Sequence, residues 1–376
     1  MPCDTCHTAI TRRSDFGDAF RRHGYRWPGD PAGDARARKP APLEMAGVGL
    51  GAAQFPLVWP FSAASSFGAT YDPDGDPALN LGNPAINFLF GSALGEQISV
   101  FGTWSGSGVP NEAFLHLRPI GRPEWMLRIG RLEQNTSLLK NNEALMGSWL
   151  LASSPLNGHS VGQGRLGAEA SGIVGGRGFY AAGIVRNGNV GDSYNHYYQV
   201  GGRLFGMDLN GEEPEVDLDQ PRITDNLSLT VNHWGYFGDS VDASGEPVAH
   251  LARLGADVKL GLDPFAIWAG LMYGRDRDLL LDRDNHSLTG LAELTFDIRT
   301  WLLAVYHYQL QDAASLKSMD QIHGLGLLAL LYENVRLTLR YSRSTGASAT
   351  RVDADTGEVR AADAVQAGEL KFLVAF

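Results

Sequence analysis

The chain has 376 residues, a formal net charge of −11 and 46 glycines, and 44% of its residues are hydrophobic. The acidic balance excludes the basic surface that nucleic-acid recognition requires, so we expect no nucleic-acid partner. No run of about 18 apolar residues occurs, which excludes a hydrophobic membrane-spanning helix.

The chain opens on a short motif with a specific chemistry. Cys3, Cys6 and His7 form the pattern C-x-x-C-H, which is typical of covalent attachment of c-type haem. The two thiols can add to the haem vinyl groups, and the histidine can coordinate the iron as its proximal ligand. A zinc site would need further ligands at matched spacing, and a redox dithiol would need no histidine. We predict one covalently attached haem c, with a redox dithiol or disulfide and another metal site as the alternatives.

The segment around this motif is short. A Pro-rich polar stretch begins at Pro28 and includes Pro31, Pro40 and Pro42, which leaves fewer residues than a self-sufficient domain of about 40 residues needs. We therefore divide the chain into a haem segment with its linker, residues 1–45, and a porin-like barrel, residues 46–376. The segment is expected to enter the barrel as a short helical or loop plug. Haem attachment and barrel assembly both require export, so we expect Met1 to follow a removed leader.

The rest of the chain alternates apolar and polar residues with the period of β-strands. At the carboxyl end, Leu370, Phe372 and Val374 alternate with Glu369 and Lys371. Many such segments are about 9 to 13 residues long, which is close to the length that crosses a bilayer at a tilt. The predicted strands lie near residues 56–71, 83–91, 97–104, 111–119, 124–133, 164–173, 179–187, 196–207, 225–237, 249–261, 264–275, 286–297, 300–311, 321–332, 334–344 and 365–376.

The connections between these strands alternate between short and long. Outer-membrane barrels have short periplasmic turns, long external loops and an even number of strands. We therefore predict an all-β protein, a transmembrane antiparallel barrel of about sixteen strands in contact with outer-membrane lipid. Aromatic residues suited to the two membrane interfaces support this prediction, and they are Tyr306, Tyr308, Phe265, Trp125 and Phe376.

Two connections depart from the simple pattern. The link at 208–225 should be a short periplasmic turn but is long and carries the acidic residues Glu212, Glu213, Glu215, Asp217 and Asp219. Either the predicted register slips there or an acidic lobe exists that could attract a basic redox partner. The loop at 134–163 is the longest and contains Leu145, Met146 and Trp149. Such apolar residues favour burial, so this loop is expected to fold into the barrel, with a disordered external loop as the alternative.

The opening of the chain resembles the haem segment of the fused monohaem cytochrome–porins of iron-oxidising bacteria. In that family C-x-x-C-H is followed by F-G-x-x-F and a G-Y pair, which correspond here to Phe16, Gly17, Phe20, Gly24 and Tyr25. The motif covers residues 1–28, and the remainder agrees in length and strand pattern. The resemblance implies that Cys3 and Cys6 attach the haem, that His7 binds its iron, and that Phe16 and Phe20 pack on the macrocycle. The two phenylalanines alone would also fit the apolar face of an amphipathic helix.

The resemblance also implies a function. The protein would be an electron conduit of the outer membrane, acting as an iron(II):cytochrome oxidoreductase in extracellular electron transfer. It would accept electrons from extracellular Fe(II) and pass them to a periplasmic c-type cytochrome or another soluble electron carrier. Transfer of one electron needs no general acid, base or nucleophile, so no catalytic side chain is predicted.

The sixth iron ligand and the external iron contacts are less defined. His23 is a candidate sixth ligand, and Met45, Met146 and the predicted inward-facing His116 and His307 are others. Acidic external loops offer hard oxygen donors that could gather Fe(II), with solvated turns as the alternative. They contain Asp72, Asp74, Asp76, Asp276, Asp278, Asp282 and Asp284.

Two other functions remain open on the same sequence. The conduit could carry electrons outwards, from a periplasmic donor to an external acceptor. The protein could also be a passive porin for anions or other solutes, in which the haem segment is a structural plug. A basic stripe inside the barrel would then be formed by Arg128, Arg131, Arg165, Arg336 and Arg340.

Overall fold

The computed structural model of the protein is almost entirely β-structure. It describes residues 7–9, 12–24, 28, 61–71, 79–81, 85–93, 97–105, 109–140, 143–146, 161–187, 193–212, 226–242, 244–313, 319–332, 335–346, 350–352, 359–361 and 364–375. The predicted Cys3, Cys6, Tyr25, Met45 and Phe376, and the aspartates at 72, 74 and 76, lie outside this part of the chain. The elements before the barrel are β1 (His7–Ala9), β2 (Arg12–Arg13) and the helix α1 (Asp15–Arg22).

The barrel strands follow in chain order. They are β3 (Phe61–Tyr71), β4 (Leu79–Leu81), β5 (Ala85–Ala93), β6 (Ile98–Trp104), β7 (Glu112–Leu117), β8 (Met126–Leu132), β9 (Arg165–Val174), β10 (Gly178–Arg186), β11 (Tyr194–Phe205), β12 (Leu227–Val241), β13 (Pro247–Leu262), β14 (Phe265–Asp278), β15 (Arg283–Arg299), β16 (Leu302–Ala313), β17 (Asp320–Tyr332), β18 (Val335–Thr345) and β21 (Ala364–Ala375). Two short strands, β19 (Thr350–Val352) and β20 (Val359–Ala361), pair with each other between β18 and β21.

These strands form one closed antiparallel barrel. Each pairs with its neighbours in the chain, and β21 pairs with β3 to close the ring. The short β4 and the longer β5 both pair with β3, at its two ends, so together they act as one interrupted strand. The barrel therefore has sixteen strands, as the sequence predicts.

The alternation of side chains decides which face meets lipid. On β13 the odd positions Arg253, Asp257 and Lys259 point inwards, and Leu254, at an even position, is 42% exposed on the outer face. The same alternation leaves an outer surface of leucine, isoleucine, valine and aromatic side chains, including Phe265, Tyr306 and Trp125. The buried apolar side chains that pack together, among them Trp234, lie inside the barrel. The polar interior and apolar exterior match a barrel built for a bilayer.

The two ends of the barrel differ in their connections. At the end that carries the chain termini, which an even strand count places in the periplasm, the turns at 175–177, 263–264 and 300–301 have two or three residues. The connection between β11 and β12 is long, from Gly206 to Asn226, so the predicted register does not slip there. At the other end most connections are longer, up to residues 133–164 between β8 and β9. The predicted asymmetry is therefore confirmed, with the periplasmic links at 118–125 and 206–226 as exceptions.

The helix α1 begins and ends with local signals. The Ser14 hydroxyl caps it by accepting a hydrogen bond from the Gly17 amide at 3.1 Å. Asp15 and Asp18 lie in the first turn, and Arg21 and Arg22 in the last, where they complement the helix dipole. Gly24 follows with φ of +69°, a conformation that favours glycine. Among the described residues, no helix is long and apolar enough to span a membrane.

Candidate functional site in the barrel lumen

The loop between β8 and β9 folds into the barrel. We call residues 133–164 the constriction loop, of which 133–140, 143–146 and 161–164 are described. Leu138, Leu139, Leu145 and Met146 in this loop are all less than 5% exposed. The prediction of an inward loop is therefore confirmed, because its apolar side chains are covered by the inner wall.

Asp257 on β13 is the main attachment point of the constriction loop. Its carboxylate accepts hydrogen bonds from the Leu138 amide at 2.9 Å, the Trp234 indole at 2.9 Å and the Asn232 amide at 3.1 Å. Asn232 also donates to the carbonyl of Thr136 in the loop at 2.9 Å. The carboxylate is buried, so each of these donors stabilises a charge that would otherwise be costly to remove from water.

A second attachment point lies further round the wall. The Met146 amide donates to Glu293 Oε2 at 3.3 Å, and His307 Nδ1 is 3.2 Å from the same oxygen. The Met146 side chain packs with Leu303, Val305 and Leu328. It fills the space over Gly326, where a Cβ atom would lie 2.3 Å from the methionine sulfur. The loop thus crosses the lumen from β8 to the wall at β15–β17.

Lys259 links the loop to an aromatic side chain. Its Nζ donates to Glu143 Oε2 at 3.3 Å and lies 3.8 Å from the centroid of the Trp268 ring. Glu143 is fully buried and Lys259 is 17% exposed. The ammonium is therefore held between a carboxylate and an indole face.

The base of the loop rests on a charged network. Arg128 donates to both oxygens of Glu169, at 2.8 and 2.6 Å, and the Tyr197 hydroxyl and the Asn135 amide also donate to Glu169. Lys140 in the loop lies 3.5 Å from Glu133 and donates to the Gln134 carbonyl. Burial lowers the pKa of Lys140 to about 8, partly opposed by Glu133. Its charge therefore changes within a mildly alkaline range.

The helix α1 also lies against the inner wall, where Arg203 on β11 is its main contact. Arg203 Nη2 donates to Asp18 Oδ2 at 3.1 Å and is 3.7 Å from Asp15 Oδ1, and Nη1 donates to the Asp15 carbonyl at 3.2 Å. Arg22 bonds the same Asp18 oxygen at 3.1 Å, and its guanidinium lies 3.7 Å from the Phe179 ring centroid. Desolvation lowers the pKa of Arg22, and Asp18 opposes that effect. A buried arginine on the wall thus neutralises the first turn of the helix.

The end of α1 is fixed by a histidine. His23 Nε2 donates to the Leu209 carbonyl at 2.7 Å, and Arg118 Nη2 donates to His23 Nδ1 at 2.9 Å and to its carbonyl at 2.6 Å. Gly24 packs on the His116 ring, where a Cβ atom would lie 1.7 Å from Nδ1. Leu209 belongs to the long connection after β11. That connection therefore contacts the helix, and no pattern in the sequence predicts this contact.

The helix turns its aromatic side towards the barrel interior. Phe16 and Phe20 are one turn apart and their rings stack with a centroid distance of 6.3 Å and an interplanar angle of 16°. At 100° per residue they lie opposite Asp18 and Arg22, which face the wall. The two phenylalanines and His23 are therefore within the barrel, and His7 lies in β1, whose backbone pairs with Arg13 beside the helix cap.

A cavity of about 320 Å³ lies between α1, the constriction loop and the wall. The helix contributes Asp15 and Asp18, the loop contributes Leu145, and the wall contributes Lys259 and Trp268. The remaining polar contributors include Ser14, Arg203, Thr295 and Asp297. The space is thus lined by charges of both signs and one indole, a surface suited to small hydrophilic solutes.

The predicted basic stripe is only partly a basic surface. Arg336 and Arg340 point inwards, but Arg340 lies 3.4 Å from the carboxylate of Glu369. Arg128 is likewise paired, with Glu169 at 2.6 Å. Arg165 faces inwards and donates to the Asn187 carbonyl at 3.1 Å. Arg131 aligns with Leu166, whose side chain is on the outer face. Nearby carboxylates therefore offset much of the positive charge of this stripe.

Three of the external aspartates predicted to gather Fe(II) pair with arginines, and a fourth, Asp278, accepts hydrogen bonds from the Leu280 and Leu281 amides. Asp276 bonds Arg253 with both carboxylate oxygens, Asp284 is 2.7 Å from Arg275, and Asp282 is 3.0 Å from Arg277. Within the described ranges, no group of three or more His, Cys, Asp or Glu residues could bind a metal ion. The three arginine-paired carboxylates are thus occupied by cations of the protein itself.

Several residues of this site have no signal in the sequence. Arg203, Asp257 and Glu293 lie on different strands and become attachment points only through the register of the barrel and the path of the loop. Strand periodicity can identify an inward-facing charged residue as a candidate attachment point. It cannot identify the loop or helix residue that the charged residue binds.

The structure resembles several solved outer-membrane channels. An anion-selective porin from Comamonas acidovorans is similar with a TM-score of 0.58, 10% sequence identity, and coverage of 84% of this chain and 98% of that porin. OmpT of Vibrio cholerae gives a TM-score of 0.57 at 10% identity, with 84% and 98% coverage. The channel DcaP of Acinetobacter baumannii gives 0.52 at 10% identity, with 84% and 96% coverage. No protein-family model and no curated protein matches the sequence.

At this identity the likeness defines the fold alone. The chain is a closed sixteen-stranded barrel of the porin type, and its apolar outer surface places it in the bacterial outer membrane.

Proposed function

We propose that the protein is a restricted outer-membrane channel of the porin type, through which small polar solutes diffuse. The observation that carries this proposal is the constriction loop, which is bonded to Asp257 and Glu293 on the inner wall. A loop fixed in this way narrows the barrel, and the polar cavity beside it has a lining suited to hydrophilic molecules. The docked helix α1 narrows the path further.

The lumen charges favour weak ion selectivity. Lys259 is close to Glu143, Arg203 to Asp18, and Arg340 to Glu369. Because paired charges produce weaker long-range fields than single charges, neither cations nor anions should be strongly excluded. We therefore propose that size and polarity, more than charge, select the solutes.

Single-channel recording tests this function. Purified full-length protein inserted into planar bilayers should give small, ohmic conductance steps, and a salt gradient should give a reversal potential near zero. A refolded but non-conducting barrel would contradict the channel proposal. The folded state is checked by the shift in gel mobility between unheated and heated samples.

We propose a second function, in which the barrel carries haem c and conducts electrons. The specific observation that favours it is the C-x-x-C-H motif, together with the position of His7, whose backbone pairs with Arg13 immediately before the cap of α1. Cys3 and Cys6 would attach the haem and His7 would bind its iron, which would supply one-electron transfer. Phe16 and Phe20, stacked on the interior side of α1, are apolar neighbours suited to a macrocycle.

His23 remains a proposal for the sixth ligand. Both of its ring nitrogens have partners, Leu209 and Arg118, so coordination would require one of these bonds to break. The electron donor proposed is extracellular Fe(II), and the acceptor is a periplasmic c-type cytochrome or another soluble carrier.

A visible spectrum separates the two functions. Reduction of the purified protein with dithionite should give a c-type spectrum, and anaerobic Fe(II) should restore it after reoxidation. Cys3→Ser/Cys6→Ser should abolish the covalent pigment while the barrel still folds. Absence of haem in protein made with a haem-attachment system would overturn the conduit, and absence of reduction by Fe(II) would overturn iron as its donor.

A further inference from the structure

The outer face of the barrel repeats one cross-strand contact on three successive hairpins. Tyr273 on β14 bonds His286 on β15, with 2.6 Å between the hydroxyl and Nδ1, and Tyr306 on β16 bonds His323 on β17 at 3.0 Å. Tyr341 on β18 donates to Gln366 Oε1 on β21. In all three the tyrosine bonds the residue two places from its register partner, on the side of the external end.

The contacts of Tyr273 on β14 and Tyr341 on β18 lie where the apolar outer band ends. Towards the periplasm the next outward residues are apolar, such as Leu271 and Leu339, which are 57% and 56% exposed. Towards the external end the next outward residues on the same strands are Arg275 and Arg343. Tyrosine is common at membrane interfaces because its ring is apolar and its hydroxyl is polar. These two contacts therefore mark the level of the lipid headgroups, and His323 lies at the same level because it aligns with Arg343.

An arginine on a neighbouring strand faces each of the two histidines. The register aligns His286 with Arg275, and His323 with Arg343. Directly opposed residues on one face of a sheet have Cβ atoms about 5 Å apart, so their side chains can reach one ligand. Where the tyrosine hydroxyl donates to Nδ1, the imidazole carries its proton on Nε2, which is then a donor available to that ligand.

We propose that each Tyr–His–Arg trio binds the phosphate of an anionic lipid in the outer leaflet. The trios are Tyr273, His286 and Arg275, and Tyr306, His323 and Arg343. Guanidinium and imidazole donors match phosphate oxygens in charge and geometry, and the adjacent apolar band accommodates the acyl chains. Arg275 also bonds Asp284 at 2.7 Å, so the Arg343 trio is the stronger of the two sites.

Native mass spectrometry of the full-length protein with added phosphatidylglycerol tests this site. The variant H286Q/H323Q/R343Q should bind the lipid at least about tenfold more weakly, because hydrogen bonds to charged groups contribute about 1.5 to 3 kcal/mol each. The matched control is H233Q. His233 bonds Tyr198 at 3.4 Å, but its register partners are Val200 and Ala256, with no arginine.

Two outcomes would overturn the proposal. One is equal binding of phosphatidylglycerol by wild type and the triple variant, and the other is an equal loss in H233Q. Binding of phosphatidylcholine to the wild type should be weaker than that of phosphatidylglycerol, and equal binding would also count against the site. Added inorganic phosphate should not displace the lipid; displacement at low concentration would identify a free-phosphate site instead.

Discussion

Two parts of the chain enter the barrel, and the structure fixes them differently. The constriction loop is joined to strands at both ends and bonds the wall mainly through its own backbone amides, to Asp257 and Glu293. The helix α1 precedes the first barrel strand and is fixed by side-chain ion pairs to Arg203 and by the contacts of His23. The loop is thus covalently continuous with the barrel at both ends, whereas the helix is a separate segment docked on the inner wall.

The difference predicts different responses to single substitutions. If one wall carboxylate that binds the loop is removed, the loop is still joined to strands at both ends and keeps its other hydrogen bonds. Removing Arg203 leaves Asp18 without its wall partner and Asp15 without its nearest cation. We therefore expect the helix to be the more easily released of the two constrictions.

Arg203→Ala should have the largest effect on conductance. Breaking a buried pair by removing one partner costs about 3 to 5 kcal/mol, and Arg203 is 2% exposed. The helix should then undock and single-channel conductance should rise severalfold. Arg340→Gln is the matched control, because Arg340 also faces the lumen and pairs with a carboxylate, Glu369, but not with α1. Unchanged conductance in Arg203→Ala would show that α1 does not limit the path.

Gly24→Ala should release the end of the helix with a smaller effect. The added Cβ would lie 1.7 Å from His116 Nδ1, and φ of +69° adds about 1 to 2 kcal/mol of backbone strain. Conductance should rise, but less than in Arg203→Ala. Gly121→Ala is the control, because Gly121 has φ of +70° and open space around its Cβ position. Equal effects of the two alanines would assign the change to backbone strain, not to the contact with His116.

The sequence predicts the barrel well because the pattern that specifies each strand lies in residues close together in the chain. Outward apolar residues alternate with inward charged ones along each strand, so Leu254 and Arg253 can be assigned to opposite faces without a structure. The loop at 134–163 is predicted to fold inwards for a similar reason, since Leu145 and Met146 favour burial. Strand count, turn lengths and the inward loop therefore all follow from residues near one another in the chain.

The attachments inside the barrel are not local. Arg203 and Asp18 are 185 residues apart, and Leu138 and Asp257 are 119 apart. The alignment of His323 with Arg343 depends on the register of two strands, which a shift of one residue would change. The interruption between β4 and β5 and the small β19–β20 pair also lack a periodic signal. Sequence patterns thus predict the strands of the barrel wall. The contacts that the wall makes with the loop, the helix and neighbouring strands depend on strand register and cannot be read from those patterns.

Asp257→Asn should weaken the loop without opening the channel as far as loss of Arg203. The carboxylate accepts hydrogen bonds from Leu138, Asn232 and Trp234, and the NH₂ group of an asparagine would face at least one of these N–H donors. An unsatisfied buried polar group costs about 1 to 3 kcal/mol, so the temperature at which the folded gel band disappears should fall. Glu369→Gln, an inward carboxylate away from the loop, should show a smaller fall. A larger fall in the control would argue against Asp257 as the main attachment.

The smallest effect should come from raising the pH across the pKa of Lys140. Burial lowers that pKa to about 8, so the ammonium is charged below this pH and becomes neutral above it. Loss of one positive charge beside Glu133 should shift the reversal potential towards cation selectivity between about pH 7 and 9, a range in which ordinary carboxylates do not titrate. Lys140→Gln should be cation-shifted at every pH and should lack the transition. A transition of equal size in that variant would mean that another group titrates in the lumen, and the constriction loop would then contribute no titratable charge to the path.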